Sequence, residues 1–386
     1  MQSKAADAAR VGAAPAPLGT FYFCYFAAMG AWLPYWPLWL EANGFDPVGI
    51  GALVGLVTAV KIVGPNVWAW IADRRGSRMA LVRFATVAAT AAFSGVLLGV
   101  EFWWLALVLC VYSFFSTATL PQFEVVTLNQ LGADTHRYTR IRLWGSLGFV
   151  VTVLAAGALV EAQGTAPVPV LTLALLAAIV AAGFVVRETR VPSVPAAQAP
   201  LLAVLRRPRV IALLGACLLM QASHGTYYAF FSIHLEEHGY SARMTGALWA
   251  LGVVAEVVLY AFMHRLVPRF GLRALFIVAF ALTTLRWILT GLLVDVLPVL
   301  LLAQTLHAAS FGLYHGVAIQ LIHLHFGAGQ QGRGQALYSS LSFGAGGAIG
   351  SWLSGYGWAH LGAAETWLGA ALASAVAWAI AWRWVR

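Results

Sequence analysis

Six ionisable side chains stand inside stretches otherwise apolar enough to sit in lipid. They are Lys61 in GALVGLVTAVKIVGPNVWAW (51–70), Glu124 in PQFEVVTLN, Arg142 in RIRLWGSLGFV, Glu256 in LGVVAEVVLY, Arg286 in TTLRWILTG and His307 in QTLHAASFG. A charge at the centre of a membrane helix costs roughly 2.5–3.5 kcal/mol on insertion scales. Such residues therefore face a bundle interior, pair with one another, and mark a path for substrate or ions. The chemistry on offer is specific. Lys61 or Arg142 can receive a carboxylate, because an anion in a low-dielectric cavity needs a cation and hydrogen-bond donors. Glu124 or Glu256 can carry a proton, since burial favours the neutral acid and a nearby cation the anion. His307 is the alternative carrier, as an imidazole titrates near neutrality. Phe149, Tyr227 and Tyr228 can cover an apolar ring, and His224 and His315 are secondary candidates. The plainer readings are a structural ion pair for Lys61, helix packing for Arg286 and a satisfied core residue for His315.

The elements that must position these groups are membrane helices. The chain has 386 residues, 61% hydrophobic and 10% charged, whereas a soluble protein carries about 25% charged residues. Twelve apolar runs read as spans, from one centred near Tyr35 to one near Ala373. Only helices and closed barrels satisfy their backbone in lipid. The expected fold is an all-α polytopic membrane protein of twelve transmembrane helices. The net charge of +9 does not point to nucleic acid, because basic residues crowd alternate loops and tails: Arg74, Arg75 and Arg78, then Arg137 and Arg140, then the 187–209 region, then Arg265 to Arg273. The other loops hold Arg243 alone against Glu41, Asp46, Glu101, Glu161, Glu236, Glu237, Asp295 and Glu365. That pattern follows the positive-inside rule and places both termini in the cytoplasm. The first seventeen residues show no cleavable signal pattern. Cys24, Cys110 and Cys217 lie within spans and suit neither a disulfide framework nor a metal site. No H-E-x-x-H, nucleophile elbow or phosphate-binding loop is present, so neither an enzyme nor a cofactor is expected.

The spans divide six and six about a Pro- and Arg-rich stretch. The expected organisation is a cytoplasmic tail (1–17), a first six-helix bundle (18–187), a linker (188–208) and a second bundle (209–386). The halves repeat. An offset of 195 residues lays LEANGF (40–45) on LEEHGY (235–240), GALVGL (51–56) on GALWAL (246–251), and Arg74, Gly76 and Arg78 on Arg269, Gly271 and Arg273. The same offset carries Lys61 onto Glu256, which predicts a cation and an acid at equivalent heights across one cavity. Repeated six-helix halves mark one class of secondary transporter that binds substrate between the halves. Gly346 and Gly350, four apart, suit close helix packing. Pro34 and Pro37 should break or bend the first helix. Trp32, Trp36 and Trp39 beside them suit an interfacial belt, with Tyr35 or Trp36 as possible site residues.

WIADRRGSR (70–78) resembles the cytoplasmic loop signature of the major facilitator superfamily, through Asp73, Arg74, Gly76 and Arg78; Ala69 and Ser77 depart from it. The resemblance implies that this loop gates, with Asp73 pairing to arginines. Glu124 and Arg142, eighteen apart, resemble the helix-four acid and helix-five arginine of the lactose-permease-like branch, with Phe149 at its stacking aromatic. Glu256, Arg286 and His307 match its ionisable groups on helices eight, nine and ten. FYFCYFAAMGAWLPYWPLWL, RLWGSLGFV and GTYYAFF are similar to the phenylpropionate permease family over nearly the full length. Departures fall at Ser310, Gln304 and Leu259, where the sugar-transporting members carry a glutamate, a lysine and an asparagine. The resemblance implies a proton symporter for a small organic acid, such as an aromatic phenylpropionate, in a bacterial inner membrane. A sugar or nucleoside symporter and an exporter stand as alternatives. The expected partners are a small-molecule substrate, protons and lipid, with a monomer as the working unit.

Overall fold

The computed structural model describes residues 15–132, 134, 136–188, 204–326 and 330–385. Most of the expected tail and linker lies outside them; residues 15–17 already open the first helix. The elements run in order as α1 (Pro15–Ala42), α2 (Pro47–Ala59), α3 (Gly64–Arg75), α4 (Arg78–Phe93), α5 (Phe102–Leu131), α6 (His136–Gln163) and α7 (Val168–Val185). There follow α8 (Pro208–Glu237), α9 (Ala242–Leu292), α10 (Leu297–Thr305), α11 (Tyr314–Phe326), α12 (Gln331–Ser339), α13 (Gly347–His360) and α14 (Ala363–Trp384). Among the described residues no strand occurs, and nine helical runs are long and apolar enough to cross a membrane. Large apolar side chains such as Trp103 (81% exposed) and Leu98 (79%) point outward. That suits lipid, where exposed apolar surface carries no penalty.

The sequence repeat is also a repeat of backbone chemistry. Gly44 and Gly239 adopt φ of 86° and 76°, and Gly76 and Gly271 adopt 69° and 76°. These are left-handed conformations that glycine reaches without a Cβ penalty. Gly76 ends α3 as its C-cap, and Gly271 breaks the 51-residue α9 into two rods. The helix starts correspond too. Asp46 accepts from the Gly49 N–H to cap α2, and Ser241 accepts from the Met244 N–H to cap α9.

Close contacts between the halves concentrate where helices meet the acidic loops. There α2 lies along α13 and α6 along α9. A Cβ added to Gly51 would sit 2.6 Å from the Ser351 carbonyl, and one on Gly157 2.6 Å from the Ala242 carbonyl. Tyr35 spans the same seam, its hydroxyl 2.8 Å from the Val153 carbonyl and 3.4 Å from that of Ala242. Gly346 and Gly350 let α13 and the turn before it press against the α8 backbone at Leu218 and Ala222, the packing role expected of them.

For the first helix, a break at the prolines and the tryptophan belt are corrected. α1 runs unbroken through Pro34 and Pro37, which leaves the alternative of a bend. Its tryptophans form no interfacial belt: Trp32 stacks on Trp36 at 4.0 Å and Trp36 on Trp39 at 4.6 Å, and Trp36 and Trp39 are buried. Tertiary packing of this stack holds a helix whose local sequence argues for a break.

Candidate functional site

Arg142 and Glu124 belong to the first half, and Glu256 to the second. Arg142, on α6, lays its guanidinium over the Phe26 ring at 3.9 Å and near Tyr22 at 5.6 Å. Such stacking offers a desolvated cation a partner other than water. Among the described residues no carboxylate lies within ion-pair distance of Arg142. Tyr138, one turn before Arg142, donates to Glu124 Oε1 at 3.2 Å. Across the seam, His307 Nε2 lies 3.6 Å from Glu256 Oε2. His307, Phe311 and His315 stack in succession, 5.6 Å and 6.0 Å apart. The ladder crosses a π-helical turn at Ala308–Leu313, a distortion frequent at functional sites. His315 Nδ1 reaches the Tyr338 hydroxyl at 3.0 Å.

Arg286 belongs to a different environment. It is fully buried within the second half, 2.8 Å from the Ser310 hydroxyl, 3.2 Å from Gln304 Oε1 and 3.1 Å from the Ala303 carbonyl. Tyr227 and Trp287 cover it at 4.4 Å and 4.5 Å. Ser310 and Gln304, both departures from the resembling family, thus serve as neutral acceptors for this cation. His224 is buried beside them, its Nδ1 2.8 Å from the Met220 carbonyl and its ring edge-on to Trp287. Tyr227 sits in that wall, while Tyr228 lies at its margin, 6.3 Å from Trp249. Phe149 is buried where α6 crosses Gly30 of α1.

Lys61 does not pair with Glu256, and the cavity it lines does not include Glu256. It lines a cavity of about 140 Å³ whose walls all come from residues 25–179, among them Tyr25, Met29, Trp32, Tyr112 and Ser116. Among the described residues no carboxylate lies within ion-pair distance of its ammonium. The local sequence explains its placement. Pro65 has no N–H to give the Lys61 carbonyl, so the helix tightens to a 3-10 turn at Val60–Ile62. The two halves use their aligned positions differently: the acid pairs with an imidazole, and the amine enters an aromatic cavity.

In the 70–78 loop, Arg78 Nη2 lies 2.8 Å from Asp73 Oδ1, the pairing the loop signature implies. Arg74 stacks on Trp70 at 3.8 Å. Sequence reasoning missed Glu188, which accepts from the Ser77 hydroxyl at 2.6 Å and the Arg78 N–H at 2.7 Å. It also missed Gln122, which Arg78 Nη1 reaches. The aligned Arg273 donates to the Trp382 and Val385 carbonyls. Each half thus ties this loop to the chain at the end of its last helix. Tyr138 and Phe311 were missed as well, though four-residue spacing from Arg142 and His307 placed them on the same helix faces.

Comparison with known proteins bears on all of this. Residues 16–369 match the model of the MFS_1 like family. The "Probable 3-phenylpropionic acid transporter" of Escherichia coli (strain K12) is 31% identical over 368 residues, covering 91% of this chain and 93% of that protein. The "Maltose permease" of Geobacillus stearothermophilus is 28% identical over 281 residues, covering 69% and 68%. The crystal structure of a point mutant of the nucleoside transporter NupG superposes with a TM-score of 0.85 at 16% identity, over 96% of this chain and 100% of that one.

Proposed function

Because the chain belongs to the MFS_1 like family, we propose that this integral membrane transporter carries a small organic acid together with a proton by alternating access. The observation that carries the reading is Arg142 stacked on Phe26 with, among the described residues, no carboxylate within ion-pair distance, so that its charge is open to a ligand. A substrate carboxylate arriving at Arg142 becomes its counter-charge. Glu256, left in a low-dielectric seam beside His307, then takes up a proton, because an isolated buried carboxylate is costly. One acid and one proton enter together, and the neutralised seam lets the halves rock. Glu124, held by Tyr138, orients Arg142.

Splitting α9 at Gly271 and adding α1 and the run from α12 to α13 brings the nine membrane-length runs to twelve crossings. The basic loops and both termini then lie in the cytoplasm of a bacterium, on the inner membrane, with bundles over 18–187 and 209–386 working as a monomer. Contacts gathered at the acidic-loop end favour an inward-facing reading of this conformer. The Escherichia coli relative's name supports an aromatic acid; the Geobacillus relative's name keeps a sugar as the second reading.

The test is uptake of labelled 3-phenylpropionate into proteoliposomes with and without an inward proton gradient, with maltose and uridine as competitors. Gradient-driven accumulation, unaffected by either competitor, is expected. Folded protein that takes up labelled maltose or uridine but no acid overturns the assignment.

A further inference from the structure

Resting on the organic-acid reading above, we propose that the Lys61 cavity holds the far end of the substrate, and that this end is an aromatic ring bearing an oxygen, as in a phenolic arylalkanoic acid. The cavity's size comes first. About 140 Å³ is close to the roughly 150 Å³ void that admits benzene in an engineered core. Its walls suit a ring: Tyr25, Trp32 and Tyr112 offer faces and Met29 an adaptable thioether. Its position suits the same substrate. Tyr25 belongs to the cavity wall, and its ring lies 5.2 Å from that of Phe26, on which Arg142 stacks at 3.9 Å. The cavity therefore adjoins the group that receives the carboxylate.

Lys61 decides what the ring must carry. An unsubstituted phenyl group strips water from the ammonium and returns only its ring face, with no hydrogen-bond acceptor in place of the water lost. A ring oxygen accepts a charge-assisted hydrogen bond from it. A phenol also needs an acceptor for its own proton, and the fold supplies candidates. Pro37, Pro65 and Pro121 lack the N–H that would engage the carbonyls of Leu33, Lys61 and Thr117 four residues earlier. All three of those residues line this cavity. A site built to hydrogen-bond a substrate oxygen rejects the analogue that lacks it far more strongly than an apolar pocket rejects a missing methylene.

The experiment compares binding of 3-phenylpropionate and 3-(4-hydroxyphenyl)propionate to the full-length protein in nanodiscs by calorimetry. Wild type is expected to bind the hydroxylated acid about tenfold or more tightly. Lys61→Met is expected to bring the ratio of the two affinities close to one, and Lys61→Arg to keep part of the preference. Equal wild-type affinities, or a preference that survives Lys61→Met, overturns the inference and leaves the organic-acid reading standing. Failure of folded wild type to bind either acid overturns both. The wild-type ratio needs no variant; should Lys61→Met not fold, Lys61→Gln takes its place.

Discussion

At the scale of single residues, the cations are distinguished by what satisfies them. Arg286 has three neutral oxygen partners and two ring faces; it is already complete. Arg142 has ring faces and, among the described residues, no carboxylate within ion-pair distance, so it retains capacity for a ligand. Arg142→Lys should lower uptake about tenfold or more, because a point ammonium loses both the stacking on Phe26 and the planar fork that matches a carboxylate. Uptake within twofold of wild type would remove Arg142 from the site. Glu256→Gln should leave acid-for-acid exchange running while abolishing accumulation driven by a proton gradient. Exchange and accumulation falling in parallel would instead assign Glu256 a packing role.

At the scale of elements, helix ends and small residues govern how pieces lock. The Asp73–Arg78 pair is 65% exposed on its acid side, and exposed pairs contribute about 0–1 kcal/mol. Glu188 makes two short hydrogen bonds that fix the start of α4 to the end of α7. Glu188→Ala should therefore slow transport more than Asp73→Asn, whose effect should stay within about fivefold; initial uptake rates decide, and the reverse order refutes this account of the loop. Gly350 offers no room at all, since a Cβ added there would run into the Ala222 carbonyl oxygen. Gly350→Leu should destabilise the second half by about 1–3 kcal/mol or more, seen as a lower melting temperature in detergent.

At the scale of the whole molecule, the question is what keeps the acidic-loop end closed. Arg243, alone among basic residues in those loops, meets Glu161 across the halves at 3.4 Å. Both are substantially solvated, so the pair supplies at most about 1 kcal/mol. The glycine-lined seams at Gly51 and Gly157 bury backbone against backbone and outweigh it. Arg243→Ala should shift the distance between spin labels at Glu101→Cys and Asp295→Cys little. Gly51→Trp, which cannot fit against Ser351, should move the distribution to longer separations. A large shift from Arg243→Ala alone would make the ion pair the principal latch.

The sequence by itself determined the class and much of the plan. Lipid admits few backbone solutions, so apolar runs read directly as helices, and a 195-residue offset carried caps and turn glycines into register because those depend on local conformation. The residues that could do chemistry were also legible, since charge in an apolar run needs a reason. The partners were not. Lys61 and Glu256 align in sequence yet enter different surroundings, because a proline kink and the packing of neighbouring helices aim each side chain. Arg286 looked like a site residue until Gln304, Ser310 and Tyr227 closed around it. Glu188 and Glu161 carry no motif, as their contacts join segments far apart in the chain. Where a buried group finds its counter-charge is a property of three-dimensional proximity, and only the tertiary structure decides it.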